Sequence, residues 1–111
     1  MGKKVEAVET ETGDVFTDLG LQDAGERKLR VQLAMRVNEL LQERKLTQAK
    51  AAALFGIPQP HVSELKHYKL NRFSSERLMH FFTLLDKDVE IIIRPKAKGH
   101  ASGLLSVLVA V

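Results

Sequence analysis

The sequence predicts a small all-α domain: a helix-turn-helix bundle of four main helices with a C-terminal β-strand. Three observations predict it. Apolar side chains recur at helical spacing in two runs, from Leu29 to Leu41 and from Leu78 to Leu85. Between those runs, Gly56 separates two short helical stretches that carry small residues where they must touch. Beyond them, Val89, Ile91, Ile92 and Ile93 favour an extended strand over residues 88–94, closed by Pro95.

Taken in order, residues 1–22 form an acidic N-terminal arm with apolar anchors at Val15, Phe16, Leu19 and Leu21. Asp23 and Glu26 have the spacing of a capping box, with carboxylates at the positive end of a helix. Leu29, Leu33, Val37, Leu40 and Leu41 carry that first helix to about Arg44. Thr47 caps the second helix, because its hydroxyl can accept from an orphan amide in the first turn. Ala51 and Ala52 leave room for a close crossing, and Phe55 fills the space one turn later. Gly56 tolerates the left-handed backbone that ends the helix and re-aims the chain.

Gln59 starts the third helix, with Pro60 in its first turn, where a missing amide costs little. Ile57, Val62 and Leu65 anchor that helix from one side, leaving Gln59, Ser63, Glu64 and His67 on the other. A loop from Tyr68 to Phe73 leads to Ser74, an N-cap, and a helix striped by Leu78, Phe81, Phe82 and Leu85. Leu33, Val37, Phe55, Val62, Leu65, Leu78 and Phe82 are the expected core. The helix-turn-helix domain thus covers 23–86, the strand 87–95 and a tail 96–111. That tail, apolar from Leu104 onward, reads equally as a strand, an interface or an unstructured end. A lone strand at 87–95 needs a partner for its edge: the same strand of a second subunit, the N-terminal arm, or the chain's own helices.

Composition narrows the function classes. A chain of 111 residues is one small domain, and 44% hydrophobic content with mixed charge favours folding over disorder. The absence of Cys excludes a disulfide framework, a thiolate nucleophile and a cysteine metal site. The basic N-terminus has no apolar stretch after it, so no secretory signal is expected, and the longest apolar run is too short to span a membrane. The expected compartment is cytoplasmic. Charge is unevenly spread: residues 1–23 carry two Lys against six carboxylates, whereas 24–72 carry ten basic and four acidic side chains. The positive excess coincides with the helix-turn-helix, as phosphate binding requires.

In that motif the second of the paired helices lies in the DNA major groove. Gln59 can make a bidentate pair with adenine, Pro60 can pack on a thymine methyl, and Ser63 can donate or accept. Glu64 can accept from a cytosine amine, and His67 can reach a base or a phosphate. Gln48 lies at a helix N-terminus, which favours a phosphate. Lys50, His61 and Lys66, with Lys69 and Arg72, are further backbone contacts by charge and spacing. Any single surface Gln or Lys is by default just solvated, so the weight rests on the whole pattern. Glu64 and His67 have the spacing used in di-metal bundles, but no second such pair exists. No metal, cofactor or catalytic role is expected, since no nucleophile motif or phosphate loop appears.

The segment resembles the helix-turn-helix of Xre-type, phage-repressor-like regulators. The residues carrying the likeness are Gln48, Ala52, Gly56 and Gln59, with Val62 and Leu65 as the buried pair of the second helix. Residues 15–95 are similar to a subgroup that includes HigA-like antitoxins. Its marks are Val15, Phe16 and Gly20 upstream, Phe73 to Met79 downstream, and the strand-like run to Pro95. Pro58 departs from the pattern, standing where a Ser or Asp cap is usual, and nothing after Pro95 has a counterpart. The resemblance implies a homodimeric repressor of double-stranded DNA, with Gln48, Gln59 and Ser63 its best-supported contacts. It also implies a small basic ribonuclease toxin as partner, for which the acidic arm is a candidate surface. The arm reads equally as a cap on the protein's own core.

Overall fold

The computed structural model describes residues 5–6 and 24–110. In chain order the elements are β1 (Val5–Glu6), α1 (Ala24–Glu43), α2 (Gln48–Phe55), α3 (Gln59–Lys66), α4 (Ser75–Leu84) and β2 (Val109–Ala110). Residues 30–92 make one compact unit; the described residues on either side of it belong to a second. The arm's apolar anchors and the capping-box Asp23 lie outside the described residues.

The helical unit is built as the apolar spacing requires. From α1 it buries Leu33, Ala34, Val37, Leu40 and Leu41, one stripe along the helix. From α2 it buries Ala51, Ala52 and Phe55; from α3, Val62 and Leu65; from α4, Leu78, Phe81 and Phe82. All seven expected core residues are buried. Phe55 stacks on Phe81 with ring centroids 4.2 Å apart, and Phe73 meets Phe81 edge-on at 5.9 Å. Phe73, assigned from sequence to a loop, is fully buried, as is Leu85. Each such side chain contributes about 1.5–3 kcal/mol on burial.

Two helices start on a hydroxyl cap. Thr47 Oγ1 accepts from the Lys50 amide at 3.1 Å, and Ser74 Oγ accepts from the Arg77 amide at 3.1 Å. All four helices stop in the same way. The amides of Leu46, Ile57, Lys69 and Lys87 reach back to Leu41, Ala52, Glu64 and Phe82 carbonyls, at 2.9–3.1 Å. This closure requires a left-handed residue just past the helix. Gly56 supplies it after α2 with φ of 68°, but Lys45, Tyr68 and Asp86 supply it after α1, α3 and α4.

In the second unit, β1 and β2 pair antiparallel, with Val5 opposite Ala110 and Glu6 opposite Val109. A C-terminal strand is therefore present, but at 109–110. The strand expected within 87–95 is absent from the described chain, which has no regular structure there. β-branched residues bias a backbone towards extension; a strand exists only where a second backbone takes up its hydrogen bonds. Nor do the isoleucines pack on the protein's own helices, because Ile91, Ile92 and Ile93 are all strongly exposed.

The helix ends give a stability prediction. Lys45→Gly should stabilise the protein by up to about 1 kcal/mol, because glycine pays no side-chain cost in the left-handed region. Gly56→Ala should cost about 1–2 kcal/mol, although an added methyl would meet nothing within 4 Å. Urea denaturation midpoints of both variants against the parent check the two signs together.

Candidate nucleic-acid interface

Helices α2 and α3 are joined by only Gly56, Ile57 and Pro58, so the turn fixes their relative direction. Ala51 and Ala52 face the crossing with side chains small enough to let Val62 and Leu65 seat fully. Asn38 of α1 adds a polar anchor, its Nδ2 donating to the Leu65 carbonyl at 3.2 Å. The start of α3 has no side-chain cap: Pro58 occupies the N-cap and Pro60 the first turn. Pro58 instead accepts from the amides of His61 and Val62 through its carbonyl, at 3.0 and 3.4 Å.

With Val62 and Leu65 turned inward, a period of 3.6 residues puts Pro60, Ser63, Glu64 and His67 on the opposite side. Gln59 lies at the helix start beside them and is exposed, as are Pro60 and His67; Ser63 and Glu64 are half-buried. These five side chains form one face, and Gln59, Ser63, Glu64 and His67 are the four that the apolar spacing of the sequence leaves on it. His61 and Lys66 lie on its flanks, half-buried. Gln48 is half-buried in the first turn of α2, and Lys50, two residues on, is exposed.

Two polar groups on this face are already oriented. His67 Nδ1 donates to the Ser63 carbonyl at 2.8 Å, which orients the ring. Glu64 Oε1 accepts from Arg72 Nε at 2.7 Å. The sequence reading gave Glu64 a base contact and Arg72 a separate phosphate contact, and did not foresee that they meet. The turn at Tyr68 brings them together, and no periodic signal in the sequence marks such a contact. Arg72 is held from behind as well. Arg77 Nη1 donates to the Arg72 carbonyl at 2.8 Å, and its guanidinium lies 5.3 Å from the Phe73 ring centroid.

The outcome is a helix face of hydrogen-bonding and apolar side chains with the cations Lys66 and Arg72 at its edge. It can offer specific donors and acceptors at its centre and positive charge at its edge. Among the described residues no cluster of His, Cys, Asp or Glu could hold a metal ion, and no helix is long and apolar enough to cross a membrane.

Fold and face together define a helix-turn-helix protein. A family model for the helix-turn-helix domain matches residues 15–94. A solved structure named as an XRE family transcriptional regulator is 48% identical in sequence. That match covers 79% of this chain and 99% of the other, with a TM-score of 0.75. The chain belongs to this helix-turn-helix family of XRE type. No curated protein matches it closely enough to lend it a narrower role.

The Glu64–Arg72 pair yields a prediction. Arg72→Ala should weaken binding to every DNA sequence alike and reduce the salt dependence by about one unit of slope. Glu64→Gln should tighten binding to random DNA, since it removes a negative charge and releases the arginine. Fluorescence anisotropy over a salt series measures both.

Proposed function

We propose that this protein is a repressor-type transcriptional regulator that reads its operator with α3 in the major groove. The observation that carries this reading is the outward face of α3, formed by Gln59, Pro60, Ser63, Glu64 and His67, with Lys66 on its flank. Gln59 and Ser63 supply base-edge donors and acceptors. Lys50, His61, Lys66, Lys69 and Arg72 hold the phosphates, and Gln48 adds a contact at the positive end of α2. Family membership supports the same assignment. The functional unit is a homodimer on a roughly palindromic operator, with half-sites about one helical turn apart.

The test separates readout from anchoring. An operator selected from random duplexes by the parent protein is compared with a scrambled duplex. Gln59→Ala should cost about 1–3 kcal/mol on the operator, relax one position, and leave the scrambled duplex nearly unchanged. Lys66→Ala should weaken both duplexes together. If Gln59→Ala binds every duplex as the parent does, α3 is not the reading element.

The second reading is that the protein also neutralises a small basic ribonuclease toxin, as the HigA-like resemblance implies. The supporting feature is the arm itself, where residues 1–23 carry six carboxylates, two Lys and several apolar side chains. Deleting residues 1–22 should abolish protection of cells expressing a toxin encoded next to the gene, while operator binding survives. Protection that persists without the arm places the inhibitory surface elsewhere.

A further inference from the structure

The segment 88–96 joins three exposed isoleucines to an ordered set of charges. Ile91 is 75% exposed, Ile92 73% and Ile93 92%, the most exposed large apolar side chains among the described residues. Asp88 and Glu90 precede them; Arg94 and Lys96 follow. Read outward from Ile92, each step meets Ile against Ile, then Glu90 against Arg94, then Val89 against Pro95, then Asp88 against Lys96. The segment is thus the charge complement of its own reverse.

We propose that residues 88–96 pair antiparallel with the same residues of a second copy, about a two-fold axis through Ile92. The proposal deepens the dimer reading above by naming its surface and register. In this register Glu90 of each copy faces Arg94 of the other, and Asp88 faces Lys96, giving four ion pairs. Ile91 faces Ile93, and Ile92 faces its own counterpart. Alternation puts Asp88, Glu90, Ile92, Arg94 and Lys96 on one side of the ribbon and Val89, Ile91, Ile93 and Pro95 on the other. One side is therefore charged for solvent and the other continuously apolar for burial.

Other registers fail on chemistry. Centring on Ile91 sets Glu90 against Ile92 and loses a matched pair on each side. Centring on Ile93 keeps acids opposite bases, Glu90 with Lys96 and Asp88 with Lys98, but sets Ile92 against Arg94 and Ile91 against Pro95. Hydrogen bonding agrees with the Ile92 register. Opposed residues in an antiparallel pair alternate between bonded and non-bonded sites. With Ile92 at a bonded site, Glu90 and Arg94 are bonded, and Pro95, which has no amide hydrogen, falls at a non-bonded site. Lys96 already donates to the carbonyls of Ala97 and His100, at 3.3 and 2.6 Å, and its ammonium has a third hydrogen for Asp88 of the other copy.

Charge exchange on the full chain tests this. D88K/E90R makes the segment wholly basic and R94E/K96E makes it wholly acidic. Each alone should raise the dimer dissociation constant by about 100-fold or more, because all four pairs become like-charged. Mixed one to one, the two variants should form a heterodimer as tight as the parent dimer. E90R/R94E should restore self-association, since its reversed charges face each other again; centred on Ile93, it would set like charges together instead. Sedimentation velocity reads all four samples, and circular dichroism checks that helical content is unchanged.

A parent dimer indifferent to D88K/E90R and R94E/K96E would overturn the proposal and leave a dimer formed elsewhere. A parent protein that is monomeric at micromolar concentration, with and without operator, would overturn the dimer reading as well. Failure of E90R/R94E to dimerise while the mixed variants pair would overturn the Ile92 register.

Discussion

Helices of eight residues do not persist alone in water, where about 12–15 residues are needed, and both α2 and α3 are that short. Both helices therefore exist only because other parts of the chain hold them. Apolar contact supplies most of the hold, through Val62 and Leu65 seated against the small side chains of α2. The 20-residue helix α1 supplies the polar remainder. Asn38 donates to the Leu65 carbonyl near the end of α3, Arg30 to the Leu70 carbonyl in the loop that follows, and Arg44 to the Leu85 carbonyl past α4. Leu65 and Leu85 lie at helix ends, where carbonyls lack an intrahelical partner, and Leu70 lies in the loop between α3 and α4. One long helix thus ties down the end of α3, the loop after it and the end of α4.

This dependence shapes the interface. A face mounted on α3 is only as rigid as the packing beneath it, and the two side chains beneath it are fully buried. The polar groups above are held more lightly. The Glu64–Arg72 pair is part exposed, with side chains 31% and 52% accessible. An ion pair in that setting contributes about 0–1 kcal/mol. It is strong enough to pre-orient the guanidinium. Arg77 holds the Arg72 backbone as well, through its donation to the Arg72 carbonyl. Glu64 thus holds the Arg72 guanidinium beside the outer face of α3.

Much of the fold was legible because it is carried by local signals. Thr47, Gly56 and Ser74 announce helix boundaries through their own chemistry, and Val62 and Leu65 announce the inner side of α3 by spacing. Phe73 was not legible, since a loop side chain has no period to show that it is buried. The ends of α1, α3 and α4 were hidden for a related reason. Lys45, Tyr68 and Asp86 take up a left-handed backbone, which the preferences of Lys45 and Tyr68 oppose. The strand was legible in kind but misplaced. β-branched composition speaks to the bias of one backbone, while pairing needs a second, which 109–110 has and 88–94 does not within one chain. For the interface, the pattern of α3 found the exposed face, but no spacing rule connects Glu64 to Arg72 across a turn.

The charges of this chain follow two different physical rules. A surface for DNA needs an excess of one sign, because the phosphate field is long-ranged and answers to the sum. The stretch 24–72, with ten basic and four acidic side chains, has that excess. A surface for a second copy of the same chain cannot use an excess, since two-fold symmetry would set it against itself. It needs equal numbers of both signs, placed so that reversal exchanges them. Residues 88–96 meet that condition with acids before the isoleucines and bases after, and their net charge is zero. A net-charge reading finds the first kind of surface and passes over the second. Order along the chain, rather than amount, carries the information there, and antiparallel pairing is the geometry that can read it.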